Sequence, residues 1–160
     1  MVTAAAGVSG GLIVGQFEKE RAMLSKLPDA VLAEQAYLVS RGVRALAIAG
    51  ECENTEFEKL RAMTRLETAA LQYGCISFVV PRGNKLAGER GFADCGYCRH
   101  AWAVDLLEWV NTSAPSDFVR DSILGLLCGY SSEGIAGFHD WRAVRSRVGL
   151  SYELDESASS

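Results

Sequence analysis

Residues 43–80, VRALAIAGECENTEFEKLRAMTRLETAALQYGCISFVV, decide the fold of this chain. Two short apolar runs at 43–49 and 75–80 have the length and composition of buried strands. Between them, Thr55 and Glu58 have the spacing of a capping box, which predicts that a helix begins there. The stretch therefore predicts a strand–helix–strand unit. A right-handed crossover would make the two strands parallel neighbours in one sheet.

Helices are predicted on both sides of this unit. Before it, Pro28 suits the first turn of a helix, and Gly42 suits its end. After it, helical spacing continues through three segments: 97–110, 115–127 and 132–148. A short run at 12–14 can add a third strand. The expected fold is a helix-rich α/β domain, with a small, mostly parallel sheet of two or three strands, flanking helices and a helical C-terminal half.

Length and composition predict one globular domain over residues 1–160. The chain has 160 residues, of which 49% are hydrophobic, and this is sufficient for a single core. The ends at about 1–11 and 151–160 are expected to be disordered, because they are small, polar or acidic and can bury little. No apolar run approaches the roughly 20 residues of a membrane-spanning helix. The sequence therefore predicts no membrane partner.

The cysteine count predicts a cytoplasmic location. Five cysteines are an odd number without the spacing of a disulfide framework, so free thiols in a reducing compartment are expected. The N-terminus lacks the basic segment and the long apolar run of an export signal. A formal net charge of −4 also disfavours nucleic acid as a partner, because non-specific binding needs a basic surface.

The sequence Cys95-Gly96-Tyr97-Cys98-Arg99-His100 concentrates the reactive side chains. Cys95 and Cys98, placed in a loop or at a helix start, can turn both sulfurs toward one point, and His100 can add a nitrogen ligand. These three residues are the candidate metal ligands, and zinc is the only cofactor they suggest. A thiol redox pair is the other reactive interpretation. Two small residues at a helix start are the alternative without chemistry.

The loops after the two predicted strands give a candidate pocket rim. Parallel strands place their carboxyl ends at one edge of a sheet, where α/β proteins bind ligands. The side chains expected there are Glu51, Glu53, Asn54, Arg82 and Lys85. Acid–base work by the glutamates and anion binding by the cations are conceivable, but no catalytic motif is present. A solvated polar loop is the favoured interpretation, and catalytic residues are not assigned.

Residues 124–136, LGLLCGYSSEGIA, and 144–148, VRSRV, resemble a bacterial helix-turn-helix of the sigma-factor type. In that family the Gly-x-Ser pattern starts a helix that ends in Ile-Ala, and the later Val-Arg-Ser-Arg pattern lies on the recognition helix. The resemblance implies a DNA-binding regulator with a degenerate motif at about 124–148. One continuous amphipathic helix explains the same residues, and the acidic net charge favours it.

A non-catalytic protein that acts by binding another protein is the leading functional hypothesis, as a regulator, inhibitor or adaptor. Tryptophan and arginine dominate interface energetics, so four residues are the predicted partner contacts: Trp141, Arg142, Arg145 and Arg147. Trp102 and Trp109 are further candidates, although burial in the core is the favoured interpretation for both. The zinc or thiol protein and the DNA-binding regulator remain the alternatives.

Overall fold

A computed structural model describes residues 22–83 and 91–148 of the chain, with the side chains of 144–148 left undescribed. The predicted disordered ends, the candidate strand at 12–14 and Lys85 lie outside this part. The described residues fall into two units, 22–131 and 132–148, and each is treated by itself. The single-domain organisation stays a prediction.

The α/β unit contains a three-stranded antiparallel sheet in its described part. β1 (Leu46–Glu53) and β2 (Ile76–Pro81) form the two edges, and β3 (Phe92–Cys98) lies between them. β3 pairs antiparallel with both neighbours, through pairs such as Glu51 with Asp94 and Val80 with Asp94. β1 and β2 therefore run in the same direction without touching each other.

The prediction of a mostly parallel sheet is wrong, because the sequence analysis missed β3. This strand reads FADCGYC and contains none of the β-branched residues that favour strands. Six of its seven residues are buried, so it also lacks the alternation of a half-exposed strand. Gly96 belongs in β3 because a Cβ there would overlap the carbonyl oxygen of Ala47, next to a bulge at Ile48–Gly50 in β1.

Most helices follow the predicted starts and stops, but the helix predicted at 97–110 begins at Ala101, because Tyr97 and Cys98 belong to β3. A 3-10 turn (Leu24–Lys26) precedes four helices of the α/β unit: α1 (Asp29–Ser40), α2 (Glu56–Tyr73), α3 (Ala101–Ser113) and α4 (Asp117–Leu127). Thr55 Oγ1 accepts a bond from the Glu58 amide at 3.2 Å, which is the hydroxyl half of the predicted capping box. Gly74 ends α2 with a φ of 68°. α5 (Ser132–Val148) completes the predicted helical C-terminal half.

Helices cover both faces of the sheet. Alternate residues of β3, namely Ala93, Cys95 and Tyr97, pack in one apolar cluster with α1 and α2. The opposite face meets α3, where Asn111 bonds to Asp94 of β3. Among the described helices, none has the length and apolar character needed to cross a lipid bilayer. Because helices cover both faces, the ends of the strands are where polar side chains of the sheet can reach solvent.

Tyr97 contributes a buried hydroxyl without a partner in the described structure. Its side chain is 0% exposed, its Oη makes no hydrogen bond, and burial raises its pKa to about 12. We expect Tyr97→Phe to raise the free energy of unfolding by about 1 kcal/mol, because it removes an unpaired polar atom and keeps the ring. Urea denaturation measures this change. Tyr37→Phe, at a side chain that is 48% exposed, is the control and should change stability little. A destabilised Tyr97→Phe would contradict the expectation.

Candidate functional site

Arg82 lies at the centre of a polar cluster at the end of the sheet where β1 and β2 terminate. Its Nε donates to Asp94 Oδ1 at 2.8 Å, and its Nη2 donates to Glu51 Oε2 at 2.5 Å. Asn111 Nδ2 donates to the other Asp94 oxygen at 3.4 Å. The Asp94 and Glu51 side chains are 2% and 11% exposed, whereas that of Arg82 is 35% exposed. One partly exposed guanidinium therefore satisfies two nearly buried carboxyl groups.

The sheet topology brings these side chains together. Glu51 lies near the end of β1, and Arg82 directly follows β2. Both strands run antiparallel to β3, so their carboxyl ends lie at the same end of the sheet. Asp94 is the direct ladder partner of Glu51. Gly83 lets the chain pass close to α3, since a Cβ there would overlap the carbonyl oxygen of Asn111. Arg82 thus ties the two sheet edges together across β3.

Two of the five predicted rim residues, Glu51 and Arg82, meet in this cluster. Glu51 and Glu53 lie within β1 and not in a loop as predicted, because the strand extends further than its apolar run. The backbone amide of Asn54, a third predicted rim residue, donates to the backbone carbonyl of Gly91 at 2.7 Å. Asp94 was not predicted, because no motif marks it and it is recognisable only once β3 is known.

The electrostatics of the Arg82 cluster favour a structural role. Burial alone lowers the pKa of Arg82, but the neighbouring Asp94 and Glu51 outweigh it and hold that pKa above its ordinary value. The guanidinium remains charged and already contacts two carboxyl groups. An incoming anion would have to displace one of them from a buried position, which is costly. The cluster is therefore better suited to fastening the sheet than to binding an anion.

The candidate metal ligands do not converge. Cys95 and Cys98 lie within β3, not in a loop or at a helix start as predicted. Strand side chains alternate between faces, so two residues three positions apart point to opposite sides of the sheet. His100 is exposed at the start of α3. Among the described residues, no group of three or more His, Cys, Asp or Glu side chains is arranged to hold a metal ion. The zinc hypothesis gains no support from this arrangement.

All five cysteines are free, as predicted. Burial raises the pKa of Cys98 to about 11, so its sulfur stays protonated at neutral pH. The redox interpretation of Cys95 and Cys98 also needs their two sulfurs to meet, whereas the two side chains point to opposite sides of the sheet. The Cys95 sulfur instead contacts the Cys52 sulfur of β1, at 3.5 Å.

The outer face of α3 carries the most distinctive exposed side chains of the unit. Trp102 is 53% exposed and Trp109 is 42% exposed, so the favoured prediction that both lie in the core is wrong. They are seven residues, or about two turns, apart and lie on one face of the helix. Asp105 lies on that face between them, and the exposed Glu108, three residues after Asp105, lies at its margin. Ala103, Leu107 and Val110 provide the buried face instead.

Protein-family models, curated proteins and solved structures give no match to this chain. Resemblance to a known protein therefore assigns no function. A proposal has to rest on the sites themselves, because a fold does not determine an activity.

The second unit does not form the predicted helix-turn-helix. α5 runs without a break from Ser132 to Val148, so no turn separates Ala136 from Val144. The bulky residues between them continue the helix, and Phe138 stacks on Trp141 with ring centroids 6.2 Å apart. The Arg142 guanidinium lies 5.8 Å from the centroid of the Phe138 ring. The side chains of the other predicted contacts, Arg145 and Arg147, lie outside the description.

Proposed function

We propose that this protein is a non-catalytic binding protein that docks a basic, amphipathic segment of a partner protein on the outer face of α3. The observation that carries the proposal is the pair of exposed indoles, Trp102 and Trp109, on the same helix face as Asp105. The action would be that of a regulator, inhibitor or adaptor. We name this surface the α3 face, formed by Trp102, Asp105, Glu108 and Trp109.

The indoles supply the affinity in this proposal. Each leaves a large apolar ring in water, although α3 already has a buried face formed by smaller side chains. Covering apolar surface is favourable by about 25 cal/mol per Å². Tryptophan is also among the residues that contribute most to binding when an interface covers it. Two such rings about two helical turns apart fit the side chains along a partner helix.

The charges select the partner. The α3 helix contains Asp105 and Glu108 and no lysine or arginine, so its exposed face is aromatic and acidic. A cationic side chain can pair with these carboxylates and can also lie over an indole ring, an arrangement worth about 0.5–1 kcal/mol at an exposed site. The net charge of −4 for the chain acts in the same direction over longer distances. A basic segment therefore complements the α3 face.

Trp141 and Arg142 remain a predicted second contact. Both are partly buried, and they pack with Phe138 within α5. Binding through them would first require this packing to loosen, which costs free energy. The α3 face needs no such rearrangement, since its indoles are already exposed. We therefore place the primary contact on α3.

The proposal predicts that a synthetic lysine–leucine peptide binds through the indoles. The probe is a fluorescein-labelled amphipathic helix of about 18 residues, and its glutamate–leucine analogue is the charge control. We expect the double variant Trp102→Ala, Trp109→Ala to weaken binding of the basic peptide about 30-fold, because two covered indoles are lost. Fluorescence anisotropy measures the affinity. Added salt should weaken binding as well.

Two further variants make this experiment specific. Asp105→Lys with Glu108→Lys should weaken the basic peptide while leaving both indoles in place, which separates charge from apolar contact. Phe118→Ala on α4 removes a side chain that is 61% exposed outside the α3 face and should leave affinity unchanged. Equal binding of the glutamate analogue would overturn the choice of partner. A loss with Phe118→Ala as large as with the double variant would overturn the location.

A further inference from the structure

Two thiols lie side by side across β1 and β3. Cys52 is the ladder partner of Ala93, and Cys95 is the partner of Gly50, so the two cysteines are diagonal neighbours on one face of the sheet. The Cys95 thiol donates to Cys52 Sγ at a sulfur–sulfur distance of 3.5 Å. Both side chains pack in the apolar cluster beneath α1 and α2. This pair is distinct from the Cys95 and Cys98 pair that the sequence suggests.

Only one of the two thiols is reachable from outside. Cys52 lines a groove of about 430 Å³ beside the 3-10 turn and α2, together with Met23, Leu24 and Ala62. Its exposure is 4%, whereas Cys95 is 0% exposed and does not line the groove. A small, uncharged molecule in the groove can therefore meet Cys52 first. Cys95 lies directly behind it.

We propose that Cys52 and Cys95 form an oxidisable dithiol, which hydrogen peroxide converts into an intramolecular disulfide. Cys52 first loses its proton, and the thiolate attacks one peroxide oxygen. The O–O bond breaks, the leaving hydroxide takes up a proton to replace the one that Cys52 lost, and the products are the sulfenic acid of Cys52 and water. The Cys95 sulfur then attacks the Cys52 sulfur, an S–S bond forms as the S–O bond breaks, and the leaving hydroxide takes the Cys95 proton to become a second water. Two thiols lose two electrons, and peroxide gains them.

The bond requires a rearrangement of the backbone as well as of the two side chains, because diagonal cross-strand neighbours are usually about 7–8 Å apart, slightly farther than a disulfide spans. The two sulfurs must approach by about 1.5 Å, from 3.5 Å to the roughly 2.05 Å of a disulfide. Rotation of both side chains supplies part of this movement, and a shift of β1 near its bulge at Ile48–Gly50 can supply the rest. A disulfide formed under such strain is readily reduced. We therefore expect dithiothreitol to reverse the modification.

The surroundings of Cys52 make the oxidation slow at neutral pH. Burial raises the pKa of Cys52, the bond from Cys95 lowers it, and Glu58, Lys59 and Glu51 make smaller contributions of both signs. Burial and the neighbouring Cys52, with Asp94 and Glu51 adding to them, raise the pKa of Cys95 still further. Below its pKa the thiolate fraction of Cys52 rises tenfold for each pH unit. The oxidation rate should therefore rise about tenfold from pH 7 to pH 8.

Peptide mass spectrometry tests the proposal on the full-length native protein. Hydrogen peroxide is added and removed with catalase, and remaining thiols are alkylated with iodoacetamide in denaturant. We expect a linked pair of tryptic peptides, one containing Cys52 and the other containing Cys95, that dithiothreitol separates. The second peptide also contains Cys98, so fragment ions must place the link at Cys95. This measurement on the wild-type chain does not depend on any variant folding.

Matched cysteine variants complete the test. Cys95→Ser should abolish the link and leave a sulfenic acid on Cys52, which dimedone traps. Cys98→Ala and Cys128→Ser should keep the link, because neither sulfur lies in the pair. Full alkylation of Cys52 and Cys95 after peroxide treatment would overturn the proposal. A link that maps to Cys98, Cys75 or Cys128 would overturn it equally, as would a rate that does not increase with pH.

Discussion

Replacing Arg82 with methionine should lower the free energy of unfolding by about 3 kcal/mol. The variant leaves the Asp94 and Glu51 side chains, 2% and 11% exposed, without their shared cation. Breaking a buried ion pair by removing one partner costs about 3–5 kcal/mol, and the 35% exposure of Arg82 places this case at the lower end. Methionine keeps most of the volume of the aliphatic stem. Urea denaturation followed by circular dichroism measures the loss.

Two controls show whether this loss comes from the unpaired carboxyl groups. Arg61→Met makes the same substitution in a solvent-exposed ion pair with Glu58 and should cost less than about 1 kcal/mol. Adding Asp94→Asn and Glu51→Gln to Arg82→Met should recover much of the stability, because the buried charges are then gone. An Arg82→Met variant as stable as Arg61→Met would show that the cluster does not hold the sheet together.

Replacing Gly96 with alanine should destabilise the protein by about 3 kcal/mol or more. A Cβ at this position would overlap the backbone carbonyl of Ala47, which cannot move without separating β3 from β1. Overpacking a well-packed core costs about 1–3 kcal/mol, and a clash with fixed backbone lies at or above the upper end of that range. Thermal unfolding should show a large fall in the melting temperature. Partial precipitation of the Gly96→Ala variant on expression would agree with this loss of stability.

A second glycine provides the matched control for Gly96. Gly137 lies within α5, where an added Cβ would have no described atom within 4 Å. Gly137→Ala should raise stability by about 0.5–1 kcal/mol, because alanine favours the helix. The same chemical change thus has opposite expected signs at the two sites. A Gly96→Ala protein with unchanged stability would contradict the close approach of β1 and β3.

Local sequence signals predicted the helices of this protein well. The Thr55 and Glu58 pair marks the start of α2, and Gly74 marks its end with a positive φ. Both signals act through backbone groups within a few residues of themselves, so they can be recognised without knowledge of the fold. The apolar run before Gly50 likewise locates the first half of β1, although the strand continues to Glu53.

The sites were less predictable than the helices. Glu51 and Arg82 were expected at one edge because both follow predicted parallel strands, and they do meet there, although Asp94 completes the cluster unforeseen. Trp102 and Trp109 were expected in the core because they share one apolar stripe with Leu106 and Val110 at helical spacing. Their seven-residue spacing was visible in the sequence, but only packing shows that Leu107 lies toward the core.

The sequence by itself determined the boundaries of α2 and that two apolar strands flank this helix, whereas the start of α3 was predicted four residues too early. The tertiary structure alone decided that β3 lies between those strands, which turns a parallel pair into an antiparallel sheet. It also decided that Cys95 faces Cys52 and not Cys98, and that Asp94 faces Arg82. The physical reason is the distance along the chain over which each kind of interaction acts. Caps and periodicity act between neighbours along the chain, whereas strand order and side-chain partners depend on residues 12 to 43 positions apart.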